Sequence, residues 1–340
     1  MDTVPASVRS RTLRADHASA LAEGLPALVA RGVRFIGFTG GEPLLALGQL
    51  KTLSDAAAAV GLECTVVTAC HWARSPAAAR RTIGNLAGIR NWQLSTDIFH
   101  TPFVPVAWVV SAARAVLEEG RNPMVRIAAH VPLAGASLAL YNSVRQTLPA
   151  SVPIFVQPIT PNGRAAAVAP GDAGSQSVAV EGAGQTVPDF PCVPNGMVVR
   201  YDGSVAPCCA GLVQQRDQHP FQYGNALASG LATVHAQWCT DSLLQLIRAV
   251  GFAPLLQWLR EEFPQHPLAA SSPAHPCDCC LQLWPEPGVA QALRRRAESP
   301  AMQARVAELT RVLFGEEFMS QAGSPVPAAA QPRPAGRVAA

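Results

Sequence analysis

Along the chain, short runs of Val, Ile, Leu and Phe alternate with longer stretches in which apolar residues recur every three or four positions. Residues 33–38, 62–68, 91–96, 124–130 and 152–157 are of the first kind and read as strands, with an apolar content that suits burial on both faces. Residues 16–31, 46–60, 76–88, 104–119 and 137–147 are of the second kind, rich in good helix formers, and read as helices. Strand and helix alternate with little between them, which predicts βα units around a parallel sheet. The chain opens on what reads as a loop and helix, so a strand that would start the series is not seen.

Past Asn162 this pattern fades. Residues 165–188 are mostly Ala, Gly, Ser and Gln without periodicity and read as a linker between a first unit, 1–164, and a second, 189–318. The second unit holds seven of the nine cysteines and an apolar helical stretch over 242–260. Residues 319–340, rich in Ala, Pro and Gln, read as a disordered tail.

Composition narrows the class. With 340 residues, 49% hydrophobic and 14% charged, the chain can bury one large core, or a large core and a small module. A formal net charge of +3, with no basic run longer than Arg294 to Arg296, argues against a nucleic-acid surface. No segment has the layout of a secretion signal, and the uncharged stretches at 127–144 and 146–163 are broken by prolines, so no membrane span is expected. These features predict a soluble, cytoplasmic protein. In that compartment, nine cysteines point to metal or cluster ligands rather than to a disulfide frame.

Chemistry in parallel βα folds gathers at the C-terminal ends of the strands. Here the predicted strands lead into Gly40-Gly41-Glu42-Pro43, Thr68-Ala69-Cys70-His71, Ser95-Thr96-Asp97, His130, and, through Gln157, Pro161-Asn162-Gly163-Arg164. Paired glycines allow positive φ and close backbone approach to a ligand, and proline stiffens the exit. Their carbonyls and the Glu42 carboxylate would together receive an ammonium group through charge-assisted hydrogen bonds. The plainer alternative is a turn whose acid caps the next helix.

The segments "GVRFIGFTGGEPLL", "TVVTACHWARS", "LSTDIFHTPFVP" and "VQPITPNGRA", in that order and spacing, resemble the core of radical S-adenosylmethionine (SAM) enzymes over roughly residues 18–165. The resemblance implies an α/β fold, a partial (β/α)6 TIM-like barrel lacking its first strand. It gives Gly40, Gly41, Glu42 and Pro43 the motif that holds the SAM amino group. Ser95 and Asp97 match the positions that contact its ribose or carboxylate, and Gln157 begins the turn near its adenine.

The second unit resembles the SPASM or twitch extension of peptide-modifying members of that family. The resemblance rests on Cys192, on Gly203 followed by Cys208, on Cys277 and Cys280 two residues apart, and on the segments "YDGSVAPCC" and "YGNALASGLATV". It implies one auxiliary [4Fe–4S] cluster on Cys192, Cys208, Cys277 and Cys280, with Cys209, Cys239 and Cys279 as substitutes. Four thiolates suit a structural zinc equally well. Cys64, within a strand, reads as a small core hydrophobe. Cys70, His71 and His100 read either as ligand-facing or as structural, His130 as structural, and His219, His266 and His275 take no role.

The family's Cys-x3-Cys-x2-Cys loop, which binds the radical-generating [4Fe–4S] cluster, does not occur in this sequence, whose first cysteine is Cys64. Counting back from Gly40 by one loop and helix, ~35 residues, places that loop near Met1. Either the reading frame extends upstream, or the protein lacks the loop and does no radical chemistry; the strand edge a missing first strand would expose favours the former. With the loop, the expected function is peptide or protein modification by a 5′-deoxyadenosyl radical. A ferredoxin or flavodoxin would supply electrons, with neither nucleic acid nor membrane as partner. The alternative is a non-catalytic peptide- or SAM-binding protein with a structural zinc. A methyltransferase-like fold is disfavoured because no glycine-rich loop precedes residue 40.

Overall fold

The computed structural model describes residues 11–159, 192, 196–208, 219–270 and 276–323. The predicted linker, Asn162 to Arg164, Cys209, His275 and most of the predicted tail lie outside the described residues.

Five strands, β1 (Phe35–Phe38), β2 (Glu63–Thr68), β3 (Asn91–Thr96), β4 (Asn122–Ala129) and β5 (Ile154–Pro158), form one parallel sheet in the order β1-β2-β3-β4-β5. Each falls within two residues of its sequence expectation. The connections carry α3 (Leu47–Ala59), α4 (Pro76–Asn85), α5 (Val106–Glu118) and α6 (Gly135–Thr147). Sequential order with right-handed crossovers keeps these helices on one face of the sheet. There Val66, Trp92, Leu94, Val125 and Ile127 are fully buried.

The opposite face differs from the expectation of strands buried on both sides. Its residues, Glu63 and Thr65 on β2, Asn91, Gln93 and Ser95 on β3, and Arg126 on β4, are only half-buried, and Phe35 and Phe155 on the outer strands are exposed. The reason is the period-two alternation inside β2 and β3, which sets Glu63, Thr65, Asn91, Gln93 and Ser95 on this face, with Val67 as the one apolar position among them. A ladder of side chains ties the strands across this face: Asn122 Nδ2 donates to Asn91 Oδ1 at 2.9 Å, and Asn91 Nδ2 to Glu63 Oε1 at 2.6 Å.

Residues 16–31 form two helices instead of one, α1 (Ala15–Glu23) and α2 (Leu25–Ala30), which meet at Gly24. Pro26 explains the break: it lacks an N–H and fits only the first turn of a helix. At the front of α4, Ser75 accepts the Ala78 N–H at 3.2 Å and Pro76 opens the first turn.

The second region is helical around a small antiparallel hairpin, β6 (Val198–Val199) with β7 (Val205–Ala206), turned at Gly203 where φ is +80°. Its helices are α7 (Ala226–Ser229), α8 (Leu231–Thr240), α9 (Ser242–Ala249), α10 (Ala253–Glu262), α11 (Pro276–Gln282), α12 (Pro287–Ala297) and α13 (Pro300–Gly323). The expected apolar helix over 242–260 is α9 and α10, separated at Gly251, which has φ +97°. Buried residues from both regions belong to one continuous core, which runs from Ala18 through the sheet to Val306. Where α2 meets α8, Arg31 Nε donates to His235 Nδ1 at 3.2 Å. Among the described residues, no helix is long and apolar enough to cross a membrane.

Candidate functional site

At the C-terminal ends of β1 to β3, three loops meet. Gly40 has φ +140°, so the chain uses the glycine there for its conformational freedom. Glu42 caps the 3₁₀ turn Pro43–Ala46, its Oε1 accepting the Leu44 N–H at 3.1 Å. The same Oε1 accepts the Thr68 hydroxyl at 2.8 Å, and Oε2 accepts the Ala69 N–H at 2.7 Å. The capping role and a strand-end position are therefore both true of Glu42. Of the four lone-pair directions of a carboxylate, these bonds use three and leave one on Oε2. His71 Nδ1 lies 3.8 Å from that oxygen.

Thr68 links this rim to the core. Its hydroxyl accepts the Trp72 indole N–H at 2.8 Å, and the Trp72 ring lies 5.5 Å from that of Trp92. Cys70, between Thr68 and His71, is fully buried with φ +64°, a left-handed conformation that glycine or asparagine would adopt more readily. Burial pushes its thiol well above the ordinary range. Cys70 is thus a structural residue.

Asp97 and His100 form a dyad on the β3 loop. Asp97 Oδ1 accepts the Phe99 and His100 N–H groups, both at 2.8 Å, and Oδ2 lies 2.7 Å from His100 Nδ1. Burial alone would raise the Asp97 carboxyl, but the His100 contacts outweigh it and hold it below its ordinary value. The hydrogen bond to Asp97 in turn raises His100, against the effect of its own burial. Glu42 also raises His100, which places the β1 and β3 loops within electrostatic reach. The buried Asp97 carboxylate is engaged with its own loop, and His100 is the member of the pair that faces outward.

The dyad makes a pH prediction. His100 is raised, so its contribution is complete below its ordinary value of 6.5 and is lost as pH rises through the folded value. Asp97 is lowered, so its contribution is present above its ordinary 3.8 and is lost as pH falls through the folded value. The pair therefore stabilises most between those two values. His100 is 45% exposed and solvent screens the pair, so the effect is about 0.5–1 kcal/mol. His100→Asn should cost that much by urea unfolding at pH 5.5 and less at pH 8.5; an equal cost at both pH values would contradict the pairing.

Ser95 and Gln157 lie on the open face of the sheet. Ser95 is in register with Arg126, and Arg126 donates to both the Gln93 Oε1, at 2.7 Å, and the Gln157 Oε1. Gln157 on β5 stands four strand spacings from Gly40 to Pro43 beyond β1, ~19 Å measured along the sheet. A lone arginine inside the apolar run 124–130 was the available signal for Arg126. Thr68 stood in the strand-end segment 68–71, but its bonds to Glu42 and Trp72 had no signal in the sequence.

The second cluster of interest involves the four cysteines selected from spacing. Cys192 is fixed by its N–H to Ile247 O at 3.0 Å, Cys208 follows β7, and Cys277 and Cys280 lie on α11. The Cys280 thiol is pushed well above the ordinary range, by burial first and then by Cys208, Cys192 and Cys277. The Cys192 thiol is pushed up to about 11 by burial and by Cys208, with Arg248 pulling the other way. The four thiols are thus electrostatic neighbours. Among the described residues, no group of three or more His, Cys, Asp or Glu side chains converges to metal-holding geometry.

Cationic and N–H donor groups surround these thiols. Arg248 is buried between the rings of Trp238 and Phe314, 4.3 and 4.8 Å from their centroids, and donates to Gln245 Oε1 at 3.0 Å. His219, also buried, sits with Nε2 3.2 Å from the Cys280 carbonyl and 3.5 Å from its sulfur. Burial pushes His219 down to about 4. The Trp284 N–H is buried without a hydrogen-bond partner among the described residues, and its ring lies edge-on to His219, with centroids 5.9 Å apart. A neutral thiol accepts hydrogen bonds weakly, so this donor shell suits a thiolate. His219 carried no spacing signal, since only folding brings it to α11.

The substitute cysteines are placed differently. Cys239 lies 3.7 Å from His235 Nε2 and feels Arg31 and Arg248, and Cys279 is fully buried in the core. Cys64 is 1% exposed, with its sulfur 3.8 Å from Ser54 O, in keeping with a core role. Comparison of the chain with protein-family models and with curated proteins gives no match.

Proposed function

We propose that this chain is a radical SAM-type protein. On this reading, its sheet is the greater part of a (β/α)6 barrel that binds SAM at the β1–β3 rim, and its second region is a SPASM- or twitch-like module. Cys192, Cys208, Cys277 and Cys280 would hold one auxiliary [4Fe–4S] cluster. The observation that supports the reading is the enclosed Cys280 thiol, which feels Cys192, Cys208 and Cys277 electrostatically and has His219 Nε2 at 3.5 Å from its sulfur. A peptide or protein is the substrate class this architecture suggests, with a ferredoxin or flavodoxin as reductant.

The rim residues fit an ammonium group, whereas at the cysteines only the chemistry of the side chains favours a cluster, since no group of three among the described residues has metal-holding geometry. Glu42 keeps one acceptor position on Oε2 for an ammonium, and the Gly40 backbone is open on the side where a Cβ would stand. At the cysteine site, the buried Trp284 N–H and the nearby Arg248 charge favour sulfur in its anionic, metal-bound form. An iron–sulfur cluster bound there supplies one-electron transfer. The chain's own part is to bind and orient: Glu42 and Gly40 position an amino group, Asp97 fixes the His100 ring, and Arg126 aligns Gln93 and Gln157 on the open face. Radical generation calls in addition for a cluster-binding Cys-x3-Cys-x2-Cys loop, which this sequence does not contain.

Anaerobic purification tests the cluster. A brown protein with iron and acid-labile sulfide in equal amounts is expected, whereas a colourless protein with one zinc would overturn the cluster reading in favour of a structural site. Calorimetry tests the rim. Glu42→Gln removes the charge facing the amino group while retaining an acceptor, and a charged hydrogen bond of about 1.5–3 kcal/mol predicts SAM binding weakened roughly ten- to a hundred-fold. Unchanged affinity would remove Glu42 from the site.

A further inference from the structure

We propose that the groove between the segment leading into α7, the junction of α8 with α9, and α12 is a binding site for a small carboxylate ligand, with Arg294 as the group that recognises the carboxylate. The groove has a volume of about 420 Å³, within the range usual for small-molecule sites. None of its lining residues belongs to the strand-end rim or to the four cysteines, so the site stands independently of the function proposed above.

Its floor is a charged pair braced by a tyrosine. Arg294 Nη1 and Nη2 donate to Asp241 Oδ1 at 3.0 Å and Oδ2 at 3.2 Å. Oδ1 also caps α9, accepting the Leu243 N–H at 3.0 Å and the Leu244 N–H at 3.1 Å, and Oδ2 accepts the Tyr223 hydroxyl at 3.4 Å. Five donors thus surround a carboxylate with about four lone-pair positions, and Asp241 has no acceptor left for a ligand ammonium. The guanidinium is in the opposite condition. Of its five N–H groups Asp241 takes two, and the other three have no hydrogen-bond partner among the described residues. The Arg294 side chain is 32% exposed and lines the groove, so those three are the charged donors that a ligand meets.

The charge balance selects a monoanion. Asp241 opposes a second anion, but its own charge is shared between Arg294 and the positive N-terminal end of α9, so the floor as a whole is not negative. A planar guanidinium with N–H groups free on its outer edges matches a planar carboxylate, whereas a phosphate dianion would face Asp241 with twice the charge. Around the floor, Gln222, Gln237 and Ser229 are exposed side chains that both give and accept hydrogen bonds. At Gly224 nothing stands within 4 Å of the place a Cβ would take, so the backbone there is open to a ligand. Tyr223, the aromatic residue of the lining among the described residues, is buried and offers no stacking face. The ligand is therefore one carboxylate on a short body bearing amide or hydroxyl groups, as in a free N-acylated amino acid or the C-terminal residue of a peptide.

Isothermal titration calorimetry on the full chain tests the site with N-acetylglutamine, which has one carboxylate and two amides, and with its C-terminal amide. The acid should bind with a Kd of about 1 mM, and the amide roughly ten-fold more weakly or worse, because it lacks the charged partner of Arg294. Arg294→Gln should weaken the acid by the same factor and leave the amide unchanged, and Gln237→Ala, at an exposed position, should weaken both about two- to ten-fold. Equal binding of acid and amide, or no binding of the acid up to about 10 mM, overturns the inference. N-acetyl-Ala-Ala-glutamine separates the two sources of the carboxylate: affinity roughly ten-fold or more above that of the single residue assigns the site to a peptide C-terminus, and a smaller gain or none to a free acid. Should Arg294→Gln fail to fold, phenylglyoxal labelling of wild type read by mass spectrometry decides. Protection of Arg294 by the acid and not by the amide supports the site, and labelling that the acid leaves unchanged, or that both slow equally, overturns it. Iron or zinc content bears on the proposed function alone and alters none of these outcomes.

Discussion

On the cluster reading, replacing Cys280 by serine should reduce the bound iron to less than about a tenth of the wild-type amount, because loss of even an outer partner of a metal ligand costs 10- to 100-fold in affinity. Cys280 is the centre of the proposed site. The residue as a whole is only half-buried, but its sulfur is enclosed by protein and feels Cys192, Cys208 and Cys277 together. Burial opposes ionisation of the Cys280 and Cys192 thiols, and the neighbouring cysteines oppose it further. A cation bound to them would reverse that balance, so metal binding and local folding are expected to be linked. Cys280→Ser should therefore also lower the melting temperature of the reconstituted protein, with a smaller effect on the metal-free form. Cys64→Ala is the control: its sulfur lies in the core behind β2 and its loss should leave iron content unchanged. A Cys280→Ser protein with wild-type iron and sulfide would remove this cysteine from the site.

Trp92→Ala is expected to cost about 3–5 kcal/mol, the range for removing a fully buried tryptophan. That is a third or more of the stability of an ordinary domain. Trp92 is 0% exposed on the helix-covered face of β3, its indole N–H donating to Ile89 O at 3.3 Å, and its ring tilted against Trp72. The consequence reaches the rim. Trp72 donates to Thr68, and Thr68 to Glu42, so a cavity at Trp92 releases the side chain that holds the carboxylate in place. Urea unfolding should show a lower midpoint with an unchanged slope. Trp92→Phe, which retains most of the ring volume, should lose much less. A loss below about 1 kcal/mol for Trp92→Ala would mean that the core closes over the vacancy, contrary to the usual behaviour of packed interiors.

Hydrophobic periodicity made the sheet and its helices legible. A strand such as 91–96 and a helix such as 106–118 bury their apolar residues locally at fixed spacing, whatever lies elsewhere in the chain. The break at Gly24 was legible too, in Pro26, but the apolar spacing on either side masked it. The polar face of the sheet was harder to see. Glu63, Thr65, Asn91 and Gln93 alternate with apolar neighbours in sequence, yet only the one-sided placement of the helices shows which side stays open.

Individual roles divided along the same line. Local geometry carried by sequence neighbours was readable: glycines where φ turns positive at Gly40 and an acid that caps the following turn at Glu42. The bonds of Asp97 to its own loop were not, since the resemblance matched it to a ligand-contacting position. The resemblance to the SPASM or twitch extension nominated Cys192, Cys208, Cys277 and Cys280, because the segments that carry it are themselves a sequence property. The sequence by itself therefore determined the order of strands and helices and the identity of the candidate groups. Tertiary structure alone decided which groups meet: Thr68 with Glu42, Arg126 with Gln157, and His219 with Cys280. Those contacts join segments far apart along the chain, and no local rule of spacing records them, since they depend on how the packed core brings separate surfaces together.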